Sequence, residues 1–209
     1  MMEDKSSKMV HCDVGISKAL PTPFIDDFLS THAPTEATQK HILLNQGGEL
    51  CGSPKMSKIF KKHSHTVLPT ALDASNQNLV KRNHQTVANS LWAVLIGANP
   101  QIKVWPHWLL HDIQIFNSLP SRGQTASPVE MASNKKEDWS PLRAFGHRVW
   151  VQPPGRRLTK FRSLARKGIF PGHTPMIAQN FLWHDCQTDK VKIATNKRFD
   201  EDLSNSPVK

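Results

Sequence analysis

The sequence predicts an α+β chain, with helices and short buried strands first and a small β-barrel last. Three observations carry this. Apolar residues recur at helical spacing across 76–98 and again after Pro106. From Phe145 the pattern changes to alternation in short runs. Gly, Pro and polar stretches punctuate those runs as turns would.

Residues 1–21 show no clear periodicity and are expected to be a disordered or unrelated start. Phe24-Ile25-Asp26-Asp27-Phe28-Leu29 predicts a helix, and His41-Ile42-Leu43-Leu44 a buried strand that meets a turn at Gly47-Gly48. Ser57 to His63 predicts a short helix and Thr66-Val67-Leu68 another strand. In the 76–98 helix, Leu79, Val87, Leu91, Val94, Leu95 and Ala98 share one face, with Ser75 or Asn76 as cap. A further helix starts at Pro106, points Leu109, Leu110, Ile113 and Phe116 inward, and ends before Pro120. Ser121-Arg122-Gly123 makes a turn. Phe145, His147, Val149 and Val151 then alternate with Gly146, Arg148 and Trp150, up to a turn at Pro153-Pro154-Gly155. Gly168-Ile169-Phe170, Asn180 to Trp183 and Val191 to Thr195 supply the remaining strands.

The chain has 209 residues, 38% of them hydrophobic, and its 15 prolines and mean hydropathy of −0.46 predict much loop. No apolar run is long enough for a membrane span, and the polar opening has no signal-peptide core. The 3 cysteines (Cys12, Cys51, Cys186) are far apart and form no Cys-x-x-Cys pair, which predicts a reduced, intracellular protein.

Charge is unevenly spread. Residues 1–75 carry equal numbers of basic and acidic side chains, so the whole net charge of +10 falls in 76–209. Between Trp139 and His184 stand Arg143, Arg148, Arg156, Arg157, Lys160, Arg162, Arg166 and Lys167, with no acidic residue among them. Such a block suits a polyanion, of which nucleic acid is the commonest; the plainer reading is a solvated basic face. Trp150 and Trp183 can stack bases, although a strand tryptophan is more often core.

Two segments have the form of an active-site signature: Asn45-Gln46-Gly47-Gly48-Glu49-Leu50 and Ser75-Asn76-Gln77-Asn78-Leu79-Val80-Lys81-Arg82-Asn83-His84. Trp105-Pro106, Asn117-Ser118-Leu119-Pro120 and Thr125-Ala126-Ser127-Pro128-Val129-Glu130 follow in order. After them come Phe145-Gly146, Lys167-Gly168-Ile169-Phe170-x-Gly172 and Arg198-Phe199-Asp200-Glu201. Taken together, from near Pro21 to Leu203, this series resembles the integrase region of copia-type retrotransposon Pol polyproteins. That resemblance implies a partial ribonuclease-H-like portion over 22–100, a helical connector over 101–138, an SH3-like barrel over 139–203 and a tail over 204–209.

The same resemblance shows what has been replaced. The family holds two magnesium ions on three acidic side chains to cut and join DNA. Asn45 stands for one of those acids and Lys81 for another. An Asn brings no charge, and a Lys ammonium ~4 Å from a divalent ion is repelled by roughly 8 kcal/mol at an effective dielectric near 20. Asp13 has no strand meander around it to serve as the first acid, and Glu49 with Asp73 is a remote substitute pair. Pro171 and His173 also depart from the family's pattern, and a strand Pro fits only an edge or a bulge. His65, His107 and His184 fall where the family often has Tyr, which the chain lacks.

His107-x-x-x-His111, His63-x-His65 and His184-x-Cys186 are incomplete metal patterns, each without a third ligand, so no metal site is expected. The expected function is that of a truncated, catalytically degenerate integrase fragment with no enzyme activity and no cofactor. Its residual property is sequence-independent DNA binding through Lys81, Arg82, Arg148, Arg156, Arg157, Lys160, Arg162, Arg166 and Lys167. The alternatives are a non-catalytic subunit or inhibitor that assembles with intact integrase, and a translated fossil without function. The expected location is intracellular, the nucleus included. Residues 22–130 are expected to fold poorly alone, and 140–203 to fold as a unit.

Overall fold

The computed structural model describes residues 1–15, 17, 19–32, 40–44, 48–70, 79–98, 104–140, 142–152, 165–173 and 180–200. The chain divides into two compact units, Met1–Thr86 and Val87–Lys209. Both helix and sheet are present, as the α+β expectation required.

The first unit begins with a difference from the sequence reading. Strands β1 (Met2–Glu3) and β2 (Val10–His11) pair antiparallel, so the start is structured. Asp4 makes the turn: its carboxylate accepts from Ser6 and Ser7, and Val10 is buried beyond it. Burial would raise the Asp4 carboxyl, but those hydrogen bonds outweigh it and hold the pKa at about 2. A self-bonded Asp turn leaves no periodic trace in sequence.

Helix α1 (Thr22–Thr31), strand β3 (Lys40–Leu44), helix α2 (Gly48–Cys51), helix α3 (Pro54–Lys62) and strand β4 (His65–Pro69) follow. Pro sits in the first turn of α1 and of α3, where its missing N–H costs nothing. Lys61 and Lys62 close α3 at its negative dipole end. β3 and β4 pair in parallel, Ile42 opposite Val67 and Leu43 opposite Leu68. One face of this pair joins a core of Ile25, Leu29, Ile42, Met56 and Phe60. The other leaves Leu43 57% and Leu68 40% exposed, unusual for a parallel sheet, whose faces are normally both covered.

Helix α4 (Leu79–Ala98) contains the division between the units. Its caps, Ser75 and Asn76, and the Asn45 turn lie outside the described residues. Val87 is buried as expected, whereas Leu79 is exposed.

In the second unit, helix α5 (Trp105–Ser118) and helix α6 (Pro128–Ser133) precede the sheet. α6 is held by a capping box in which Ser127 accepts from the Glu130 N–H and Glu130 accepts from the Ser127 N–H. Gly123 takes a φ of +85° in the expected turn. The buried stripe of α5 is Trp108, His111, Ile113, Asn117 and Ser118, and Leu110 faces out. The inward face is thus rotated from the aliphatic one, because His111 is the residue that meets the sheet.

Five strands make one antiparallel sheet in the order β8-β7-β6-β5-β9: β5 (Arg148–Val151), β6 (Arg166–His173), β7 (Phe181–Asp185), β8 (Lys190–Ala194) and β9 (Lys197–Phe199). Val149, Val151, Phe170, Phe181, Trp183 and Ala194 form its core, with Phe199 against them. Pro171 is fully buried in central β6, where the pairing to β7 shifts register between Ile169 and Gly172. The bulge removes the need for the missing N–H, as a strand proline demands. Beside it, Gly172 has a φ of +134°, and a Cβ there would lie 2.9 Å from the His111 Cβ. Helix α5 therefore seats on bare backbone.

Gly168 has no room either: a Cβ would meet the His184 carbonyl at 2.5 Å and the Trp183 ring at 2.6 Å. Gly168→Ala should destabilise the second unit by about 1–3 kcal/mol or more through overpacking. Urea unfolding followed by near-ultraviolet circular dichroism checks this, and a change below about 0.5 kcal/mol would contradict the packing described.

Candidate nucleic-acid interface

The outer face of the sheet follows from strand alternation. Val149 and Val151 are sealed in the core, so Arg148, Trp150 and Gln152 take the opposite face. In the antiparallel register Trp150 lies opposite Lys167 of β6 and opposite Arg198 of β9. Directly opposed residues share a face, so Lys167, Trp150 and Arg198 form a row across three strands. Trp150 is 39% exposed, while Trp183, on the core face of β7, is 1% exposed. The two tryptophans that the sequence left equivalent are separated by the pleat.

Lys167 and Arg198 are both exposed, and among the described residues neither has a carboxylate within ion-pair distance. No cation covers the Trp150 ring among the described residues. Next to the row is an open groove of about 420 Å³, lined by Trp150, Gln152, Ala165, Asn196, Lys197 and Arg198.

Other basic residues have structural partners. Arg166 reaches to 3.5 Å and Lys192 to 2.6 Å from the carboxylate of Asp185, which is wholly buried. Burial pushes the Asp185 carboxyl up. Hydrogen bonds from Lys192, the Thr188 hydroxyl and the Gln187 N–H, with the Lys192 charge, outweigh that and hold the pKa at about 2. Arg148 is half-buried, 3.7 Å from Asp200. Lys197 turns to the core side, its ammonium 4.5 Å from the Phe181 ring centroid. Burial, then the neighbouring Arg143 charge, lowers its pKa.

Of the basic residues singled out in the sequence, Lys167 is in the row, Arg148 shares its face in an ion pair with Asp200, and Arg166, opposite Val151, is on the other face with Asp185. Lys81 and Arg82 are exposed on the first turns of α4, in the first unit. Arg156, Arg157, Lys160 and Arg162 lie outside the described residues. Arg198 was read only as part of a motif. The signal for it was Phe199, whose inward side chain sends its neighbour outward.

The histidine pairs go to other uses. His111 is buried with its Nε2 3.0 Å from the Arg143 carbonyl, which can only accept, so the proton is on Nε2. Burial lowers its pKa to about 4 against the opposing effect of that bond, with His173 adding to the fall. His65 bonds the His63 carbonyl, His63 bonds Asp26, and His184 bonds Asp189. Among the described residues, no group of three or more His, Cys, Asp or Glu is placed to hold a metal. Asn45 and Asp73 lie outside those residues, and Lys81 is a cation where the resemblance needs an acid. Among the described residues no helix is long and apolar enough to cross a membrane.

No family model matches the chain. Among solved structures, the simian T-cell lymphotropic virus intasome in complex with PP2A regulatory subunit B56 gamma superposes with a TM-score of 0.44 at 11% identity. The match covers 95% of this chain and 72% of that one. At that level the similarity carries no argument about what this chain does.

The Asp185 cluster yields a pH prediction. A carboxyl whose folded pKa of about 2 lies below its ordinary 3.8 stabilises the fold above the ordinary value, and the effect is lost as pH falls towards 2. The second unit should lose ~2 kcal/mol between about pH 4 and pH 2 from this group. In Asp185→Asn that part of the acid dependence should vanish, with lower stability at neutral pH because two cations lose their partner. Denaturant melts of both proteins across that range check it; identical acid limbs would contradict it.

Proposed function

We propose that this chain is a catalytically degenerate relative of copia-type integrases whose remaining activity is sequence-independent nucleic-acid binding. In this reading, the first unit corresponds to part of the ribonuclease-H-like core and the five-stranded sheet to the SH3-like barrel. The ordered series of motifs supports the relationship. Asn45 and Lys81 in place of acids support the loss of strand transfer. A nuclear location goes with the same reading.

The observation that carries the binding function is the row Lys167–Trp150–Arg198, with both cations free of carboxylates among the described residues. Phosphate neutralisation by such side chains makes affinity fall steeply with salt and is indifferent to sequence. Lys167→Glu with Arg198→Glu should weaken DNA binding at least about tenfold and lower the salt slope by about 2. Fluorescence anisotropy of labelled DNA titrated at several salt concentrations measures both. Unchanged affinity would remove the sheet from the interface. In magnesium, strand-transfer assays of the whole chain should give no joined product, and any product would overturn the degenerate reading.

A second reading, in which the chain acts as a non-catalytic partner or inhibitor of an intact integrase, is favoured by one observation: the exposed Leu43 and Leu68 on the β3–β4 pair. Another chain that covered this face would bury both. Co-purification with an intact relative, lost in Leu43→Lys with Leu68→Lys, tests it; failure to co-purify removes it.

A further inference from the structure

Resting on the binding reading above, we infer that the sheet face selects single-stranded nucleic acid and holds an unpaired base against Trp150. The reason is the placement of the indole. It stands in the middle strand of the row, with a cation on each neighbouring strand, rather than at the rim of a basic patch. Strands are spaced ~4.8 Å apart, so Lys167 and Arg198 root ~10 Å apart with the ring between them. From there, the long side chains reach phosphates on either side of a base that lies on the ring.

A duplex cannot use this arrangement, because its bases already stack on one another and show only their edges in the grooves. An unpaired base offers its whole face, and an indole is a platform for any of the bases. The adjoining groove fits the same ligand. Gln152 and Asn196 are among its lining residues, and their side-chain amides can donate and accept at base edges. An exposed tryptophan between two cations that have no carboxylate partner among the described residues suits a polyanion with aromatic groups, such as a nucleic-acid strand.

Trp150 is 39% exposed and lies outside the buried core cluster, to which its neighbours Val149 and Val151 belong. Trp183 belongs to that cluster on the opposite face of the sheet, where the ammonium of Lys192 lies 5.6 Å from its ring centroid.

The test uses the whole chain and two probes, a short fluorescein-labelled oligothymidylate and a duplex of the same length. Trp150→Ala should weaken single-strand binding by about 5- to 150-fold, the ~1–3 kcal/mol of one stacked base. Duplex affinity should stay within about twofold, and Trp150→Phe should recover much of the single-strand affinity. Circular dichroism of each variant monitors the fold. If Trp150→Ala binds the single strand as well as the wild type, while Lys167→Glu with Arg198→Glu does not, the phosphate reading stands and the stacking inference falls. An equal loss on both probes also overturns it. A wild-type chain that binds neither probe overturns the binding reading itself.

Discussion

The position of β5 between β6 and β9 is the constraint on which the second unit depends. Both edges of the strand are hydrogen-bonded, and Val149 and Val151 are fully buried between them. Slipping the register by one residue would expose both valines and carry Arg148 and Trp150 into the core. Burying an unpaired guanidinium costs several kcal/mol, so the register is held from both faces at once. Everything proposed for the outer face is a consequence: Trp150 is presented because its neighbours must be hidden, and Lys167 and Arg198 join it because they are paired to it.

A second consequence concerns charge. The net +10 of the sequence overstates what a ligand would meet. Arg166 and Lys192 offset the buried Asp185, Arg148 faces Asp200, and Lys197 lies over the Phe181 ring. On the described outer face, Lys167 and Arg198 remain, and they lie on either side of the tryptophan. The proposed interface rests on the cations that the fold does not consume among the described residues, which composition alone cannot show.

Much of this is legible in the sequence, and the parts that are not have physical causes. The strands containing Ile42, Val67, Val149, Phe170, Trp183 and Ile193 follow from apolar runs and alternation, and the helices α1, α3, α4 and α5 from spacing and proline. The bulge at Pro171 was legible as a demand that the structure then met. The opening hairpin was not, because its turn is made by one Asp bonding two serines rather than by a pattern of apolar residues. Nor was the buried face of α5, since it is set by a histidine that packs on Gly172, a contact between residues far apart in sequence. Of the site, the sequence supplied Lys167 and Trp150, but joined them to residues that the sheet places in ion pairs, and it passed over Arg198. Register between strands is a tertiary property, and the partner of Trp150 cannot be read from its own segment.

The most direct test of the account is lysine footprinting of the whole chain by acetylation, with and without a saturating oligonucleotide. Lys167, on the outer face beside Trp150, should be strongly protected by the nucleic acid. Lys190, exposed on β8 at the opposite edge of the same sheet, should react equally in both samples. Protection of Lys167 alone would place the strand on the row described. Protection of Lys190 without Lys167, or of neither in a sample shown to be bound, would contradict the account and move the interface to another surface.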